Sequence, residues 1–157
     1  PLQFPEKLIP KIISNIFNNK PLPIYGRGEN SREWIHVKDH CEALFRLYLR
    51  GKVGENYNVG SGINLKNIHL VKKILKICNS IGIKINKKTR IKFVKDRPGH
   101  DFRYALNNNK INSKLNWKPK ISFEEGLKET VLWYLKNKKF LKNIAKKNYE
   151  KRLGLKI

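Results

Sequence analysis

Apolar residues recur along this chain at the three- and four-residue spacing that is typical of amphipathic helices. The first helix is predicted to run to about Asn18, with Pro10 in its first turn, where a proline removes no helical hydrogen bond. The second is predicted to begin near Asp39, a candidate N-cap, and to stop at Gly51. The positions that define the helices are Leu8, Ile9, Ile12, Ile13 and Ile16 in the first, Leu44, Leu47 and Tyr48 in the second, and Ile68, Val71, Ile74, Leu75 and Cys78 in the third.

Short segments that contain apolar residues between the helical segments predict strands. A further short helix is expected from about Asn108, and Ser122 with Glu125 three positions later forms a capping-box pattern that opens another. Helices and strands are mixed along the chain, so the predicted fold class is α/β. The strand candidates are residues 34–37, 56–59, 91–94 and 103–106.

Length and composition narrow the class of protein. The chain has 157 residues, enough to enclose one hydrophobic core. No apolar run approaches the roughly 20 residues that span a bilayer, and the start shows no signal-peptide pattern, so we expect no membrane association and a cytoplasmic location. Cys41 and Cys78 lack metal-ligand spacing and are expected to be buried. Because the sequence lacks Met and opens on Pro1, we expect it to be a piece of a longer product.

The net charge of +23 is typical of proteins that bind nucleic acid. The excess is spread evenly, however, because Lys, Asn and Ile are abundant throughout and Lys far outnumbers Arg. A base-reading surface favours Arg with aromatic residues beside it. We therefore expect no specific nucleic-acid partner, and a basic nucleic-acid-binding module is kept as the alternative from another class. The densest basic stretch, residues 136–157, is predicted to be a Lys-rich C-terminal helix and tail.

Residues 96–100, which read DRPGH and which we call the corner, form the segment that most strongly indicates a site. Pro at the second and Gly at the third position of a four-residue stretch predict a type II turn. The residue before the proline is held extended. The corner therefore places a guanidinium, an imidazole and a carboxylate at the end of a strand, which suits an anionic, hydroxylated ligand. An ordinary polar surface turn is the alternative.

Two further cations extend this hypothesis. Arg32 follows a Gly-rich loop at residues 26–30, and Lys7 follows the turn-like Phe-Pro-Glu of residues 4–6. Each alone indicates no more than a surface cation. If the fold brings Lys7, Arg32 and Arg97 together, they would form a clamp for a diphosphate.

Motifs for catalysis and metal binding are missing. The Gly-Ser-Gly of residues 60–62 lies between a predicted strand and a helix, but Leu65 takes the third Gly position, so an ordinary turn is favoured over a dinucleotide cradle. Two Tyr-x-x-x-Lys matches, beginning at Tyr48 and Tyr134, are attributed to the high Lys content. The His residues show no metal spacing, and no nucleophile has a base partner. We expect neither catalytic nor metal-ligating residues in this chain.

The sequence also resembles a known family, the nucleotide-sugar enzymes of the extended short-chain dehydrogenase/reductase (SDR) group, and within it the dTDP-glucose 4,6-dehydratases. The resemblance runs from Pro1 to about Tyr134 and implies a Rossmann-type α/β fold. In that family the first half binds NAD and carries the catalytic residues, and the second half, which this chain resembles, holds the nucleotide-sugar. The matching stretches are residues 1–10, 22–26, 32–40, 54–60, 96–101, 103–105, 115–119 and 123–127.

The resemblance implies the activity of the longer enzyme. Bound NAD oxidises the sugar of dTDP-glucose at C4, water is lost across C5 and C6, and the hydride returns to C6. The product, dTDP-4-keto-6-deoxyglucose, belongs to deoxysugar and rhamnose synthesis. NAD is expected on the missing N-terminal half, the whole enzyme is expected to be a homodimer, and residues 1–135 are the substrate-binding part, inactive alone. A UDP-glucose dehydratase, an epimerase or a decarboxylase of the same group stays open, because the deciding residues lie in the other half.

The same resemblance implies a set of substrate-binding residues. By this resemblance, Lys7 and Leu8 line the site near the diphosphate and sugar, and Pro23, Ile24 and Tyr25 contact the base region. Arg32 and Asn67 hold phosphate and ribose. The corner residues Asp96, Arg97, Pro98, Gly99 and His100 close over the ligand. Glu33 departs from the pattern, because the family usually has Asp there.

Overall fold

The computed structural model describes residues 1–143 and confirms the predicted α/β class. The part of the predicted Lys-rich tail beyond residue 143 lies outside the described residues. Six helices and five strands are formed in the described range. In chain order they are α1 (Leu8–Phe17), β1 (Leu22–Tyr25), β2 (Ser31–Glu33), α2 (Val37–Arg50), β3 (Asn64–Lys66), α3 (Asn67–Ser80), β4 (Ile91–Val94), β5 (Arg103–Tyr104), α4 (Asn109–Leu115), α5 (Phe123–Lys136) and α6 (Lys138–Asn143).

The strands form two small sheets. β1 pairs with β4 in parallel, with Leu22 opposite Ile91 and Tyr25 opposite Val94. The second sheet has the order β3-β2-β5, with β2 antiparallel to β3 and parallel to β5. The corner lies between β4 and β5, so it joins the end of one sheet to the start of the other.

The main core lies where α1, α3 and α5 pack on one another and α1 packs on β1. The predicted helical periodicity of α1 and α3 is confirmed, because their inward positions are the buried ones. Burying each large apolar side chain is worth about 1.5–3 kcal/mol, so this cluster holds the helices against the strands. Its fully buried members include Ile12, Ile13, Leu22, Leu70, Val71, Ile74, Val131 and Tyr134. A separate, smaller cluster between α2 and α4 contains Ala43, Ile111, Leu115 and Trp117.

Two strand predictions are wrong. The strand predicted at residues 34–37 is displaced to Ser31–Glu33, because His36 caps α2 and its ring nitrogen accepts a hydrogen bond from the Lys38 amide. Asp39 is therefore inside the helix, where its buried carboxylate instead accepts hydrogen bonds from the amides of Lys120 and Ile121. Residues 56–59 pair with no strand in the described part of the chain.

One face of α2 is apolar and exposed. The exposed fractions are 44% for Val37, 50% for Leu44, 63% for Phe45 and 85% for Tyr48. With Cys41, which is exposed rather than buried as predicted, these residues follow helical spacing and form one face, which we call the α2 stripe. Cys78 is buried as predicted, and burial raises its pKa to about 11. No helix within residues 1–143 is long and apolar enough to cross a membrane.

The predicted capping box at the start of α5 is formed and gives a direct stability test. Ser122 Oγ accepts from the Glu125 amide at 3.3 Å, and the Glu125 carboxylate accepts from the Ser122 amide at 3.3 Å. Ser122→Ala leaves the Glu125 amide without its side-chain acceptor, so we expect a loss of about 1 kcal/mol in the free energy of unfolding. Urea unfolding measures this loss. Ser113→Ala, inside α4, is the control and should be neutral; equal losses in both variants would contradict the capping account.

Candidate functional site

The corner lies against the carboxyl end of β1. Because β1 and β4 are parallel and in register, both strands end at the same edge, and the Gly26 amide continues the pairing by donating to Val94 O at 2.9 Å. The Tyr25 and His100 rings then meet edge to face, with centroids 5.8 Å apart. The carboxyl ends of parallel strands are where α/β folds bind ligands. The fold thus joins two groups of predicted site residues that are far apart in sequence.

The corner is organised by its own carboxylate. Asp96 Oδ1 accepts from the Arg97 amide at 2.8 Å and lies 2.7 Å from His100 Nδ1. Gly99 has a φ of +65°, the left-handed backbone that the predicted type II turn requires. The His100 side chain is only 6% exposed, so it is packed in place before any ligand arrives. Asp96 acts here mainly as a support for its neighbours.

The far end of the corner is tied to the loop before β2. The buried Asn30 donates from its side chain to Asp101 O at 3.3 Å, and its carbonyl accepts from the Asn67 amide at 2.9 Å. The Ser31 amide donates to Phe102 O at 2.8 Å. Arg32, the next residue, lies opposite Tyr104 in the parallel β2–β5 pair. Arg32 and Asn67 are therefore both attached to the segment that leaves the corner.

Two polar atoms of the predicted site are buried without a hydrogen-bond partner among the described residues. They are Arg97 Nε, which is a donor, and Asn67 Oδ1, which is an acceptor. An unpaired buried polar atom costs about 1–3 kcal/mol, so it indicates a missing partner. Arg97 Nε suits a phosphate oxygen, and Asn67 Oδ1 suits a hydroxyl group.

Lys7 and Leu8 stand at the start of α1, which packs on β1 and is joined to it by residues 18–21. Leu8 is partly buried against the main core. Lys7 is exposed and pairs with Glu6 at 2.8 Å, and no hydrogen bond or ion pair within residues 1–143 joins it to the corner.

The two remaining predicted residues belong to β1 itself. Ile24 is buried in the main core, which leaves only its backbone for a ligand, whereas Pro23 is half-buried. Two residues that shape the site, Asn30 and Glu33, were not predicted. The Asn30 side chain bonds the backbone of Asp101, 71 positions away, and the Glu33 side chain bonds the backbone of Leu106, 73 positions away. No local sequence pattern therefore predicts the roles of Asn30 and Glu33.

A cavity of about 390 Å³ lies away from the corner, and none of the predicted site residues lines it. Its wall includes Trp34, His36 and Phe123. Burial lowers the pKa of His36, while the nearby Glu129 carboxylate opposes that shift. Among the described residues, no three His, Cys, Asp or Glu side chains are grouped closely enough to hold a metal ion.

Comparison with known proteins identifies the class. A family model described as GDP-mannose 4,6 dehydratase matches residues 1–130, and the chain belongs to that family. The fold is that of the extended SDR enzymes, as predicted. A UDP-glucose 4-epimerase from Thermotoga maritima, solved with UDP-glucose, shares it at 27% identity and a TM-score of 0.73, with 83% of this chain and 40% of that chain covered.

Within this class the predicted resemblance to the dTDP-glucose 4,6-dehydratases is confirmed. The Shigella flexneri enzyme of that name is 44% identical over 151 residues, covering 96% of this chain and 42% of its own length. The crystal structure of the dTDP-glucose 4,6-dehydratase from Bacillus anthracis in complex with NAD superimposes with a TM-score of 0.83 at 42% identity, covering 92% of this chain and 44% of that chain. The chain thus spans less than half the length of these relatives.

The backbone of the corner is tested by a matched pair of glycines. Gly99 and Gly54 both have positive φ, +65° and +79°, and an added Cβ would meet nothing within 4 Å at either position. Alanine at each therefore costs only backbone strain, which we expect to be about 1–2 kcal/mol in urea unfolding. A loss at Gly54 without one at Gly99 would contradict the type II turn at the corner.

Proposed function

We propose that this chain forms the nucleotide-sugar-binding part of an NAD-dependent dTDP-glucose 4,6-dehydratase. The observation that carries the proposal is the pair of buried, unpartnered atoms, Arg97 Nε and Asn67 Oδ1, in segments that hydrogen bonds link to one another. A ligand with both phosphate oxygens and hydroxyl groups supplies partners of both kinds. The similarity to enzymes named for dTDP-glucose supports the choice of ligand.

In this proposal the corner and its neighbours each bind a different part of the ligand. Arg97 and Arg32 bind the diphosphate, with Lys7 adding charge from the start of α1. Asn67 accepts from a ribose hydroxyl, and Tyr25 with His100 contacts the base region. The remaining contacts are assigned to Leu8, Pro23, the backbone of Ile24, Asp96, Pro98 and Gly99. Binding of these remote groups positions the sugar for chemistry that other residues perform.

NAD does not fit the Gly-Ser-Gly turn of residues 60–62, which follows the dinucleotide pattern in part. The Gly62 amide already donates to the Glu33 carboxylate at 2.8 Å, so a second anion at residues 60–62 would meet a like charge. We therefore propose that NAD, which supplies hydride transfer when bound, is held by a polypeptide equivalent to the N-terminal part of the longer relatives. No catalytic residue is assigned to this chain.

The similarity to the dTDP-glucose 4,6-dehydratases also supports proposals on the reaction, pathway, location and oligomeric state of the complete enzyme. We propose that the complete enzyme is a cytoplasmic homodimeric lyase that makes dTDP-4-keto-6-deoxyglucose for deoxysugar and rhamnose synthesis. The similarity to the UDP-glucose 4-epimerase keeps a related activity on UDP-sugars as the second candidate. Titration with dTDP-glucose beside UDP-glucose distinguishes the two.

The first test measures ligand binding by calorimetry. We expect Arg97→Ala to weaken dTDP-glucose binding by roughly 10- to 150-fold, because a hydrogen bond to a charged group is worth about 1.5–3 kcal/mol. Arg50→Ala, at the exposed end of α2, removes the same charge and should have no effect. Of the two glycine variants, only Gly99→Ala should weaken binding.

The alternative class of protein predicts a different result in the same binding experiment. A basic nucleic-acid-binding module would bind RNA tightly in moderate salt and ignore dTDP-glucose, with Arg97→Ala and Arg50→Ala equally impaired. That pattern would reject the proposal.

The second test concerns the missing catalytic part. We expect the 157-residue chain alone to show no dehydratase activity and to self-associate through the α2 stripe, because exposed apolar faces of this kind promote association. Adding the N-terminal part of a longer relative as a separate polypeptide should restore activity. It should also protect Cys41, the exposed cysteine of the stripe, from alkylation, while the buried Cys78 stays unreactive throughout.

A charge in the stripe provides the control for this test. Phe45→Glu should prevent both the Cys41 protection and the restored activity, whereas Lys72→Glu on the exposed side of α3 should prevent neither. Dehydratase activity in the isolated chain, or a monodisperse monomer, would contradict these expectations.

A further inference from the structure

The carboxylate of Glu33 joins three segments of the chain. Its Oε1 accepts from the Gly62 amide at 2.8 Å, and its Oε2 accepts from the Leu106 amide at 2.7 Å. One side chain thus connects the end of β2 to the turn before β3 and to the residues just after β5. Hydrogen bonds to an ionised carboxylate are roughly twice as strong as those between neutral groups. We call this arrangement the Glu33 clasp.

Gly60 leaves the space that the carboxylate occupies. A Cβ at residue 60 would lie 2.1 Å from Glu33 Oε1 and 2.9 Å from Asn108 Oδ1, distances that no packed structure accepts. The absence of a side chain at Gly60 is therefore a condition of the clasp. Any larger residue there would displace the carboxylate from both amides without changing its chemistry.

The clasp matters because the strand pairing of β5 is short, so hydrogen bonds from side chains hold much of this segment. The parallel pairing with β2 covers only Ser31 with Arg103 and Arg32 with Tyr104. Besides the bonds of Glu33, Asn64 Nδ2 donates to Tyr104 O at 2.8 Å. At the other end of the corner the attachment is stronger, since β4 pairs with all four residues of β1. The corner is thus fixed firmly on the β4 side and depends on side chains such as Glu33 on the β5 side.

We propose that Glu33 is a positioning residue for the diphosphate of the nucleotide-sugar, an inference that rests on the proposed function. Glu33 follows Arg32 directly and holds the strand that leaves the corner, so it sets the separation between Arg32 and Arg97. Two cations share one diphosphate only at a matched spacing. Glu33 itself touches backbone amides and needs no contact with the ligand.

Two variants of the 157-residue chain test the clasp by different routes. Glu33→Gln keeps the size but loses one acceptor oxygen, so one of the two amides is left unpaired. Gly60→Ala keeps Glu33 but displaces its carboxylate. Glu29→Gln, at an exposed loop position, removes the same charge as a control.

The first measurement is backbone amide exchange followed by mass spectrometry. In both test variants we expect residues 101–106 to exchange at least tenfold faster, while residues 68–78 of α3 are unchanged and serve as the internal reference. Unchanged exchange at residues 101–106 in both test variants would show that the clasp does not stabilise this segment. That result would overturn the inference.

The second measurement compares the dissociation constants of dTDP and thymidine. We expect dTDP binding to weaken roughly tenfold in both test variants, the loss expected for one hydrogen bond to a charged group, with thymidine binding unaffected. Equal loss for both ligands would indicate a merely structural role and would overturn the inference. Equal dTDP affinity in wild type and variants would also overturn it, whereas a wild-type chain that binds no dTDP would reject the proposed function itself.

Discussion

The attachment of the corner at both ends is the constraint on which the site depends. Residues 96–100 leave a strand paired with β1 and enter a strand paired with β2, so the corner runs from one sheet to the other. The first attachment brings Tyr25 to His100. The second brings Asn67 and Arg32 to the segment after the corner through Asn30 and Ser31. The proposed ligand, spanning the corner, would contact groups from four separate parts of the sequence.

Local signals predicted the elements that need no distant partner. The spacing of Ile68, Val71 and Ile74 predicted α3, and Ser122 with Glu125 predicted the start of α5, because each signal is complete within a few residues. The turn at the corner was also readable, since Pro98 and Gly99 set the backbone by their own geometry. β1 was missed because two prolines obscure its pattern, although a strand with one sheet neighbour tolerates them.

The failures share a physical cause. A stretch of alternating polar and apolar residues such as 56–59 becomes a strand only if another strand lies beside it, and the described chain offers none. Helical spacing likewise does not say which face meets a partner, so Cys41 is predicted to be buried although it lies on the exposed α2 stripe. Within the site, the roles of Asn30 and Glu33 come from contacts over 70 positions along the chain, which the fold alone establishes.

The central claim is that Arg97 and Asn67 face one nucleotide-sugar across the corner. A crystal structure of the chain with dTDP-glucose tests it most directly. We expect a phosphate oxygen about 2.7–2.9 Å from Arg97 Nε, a ribose hydroxyl at Asn67 Oδ1, and Arg32 on the same diphosphate. A ligand bound elsewhere, with Lys7, Arg32 and Arg97 directed to unrelated surfaces, would contradict it.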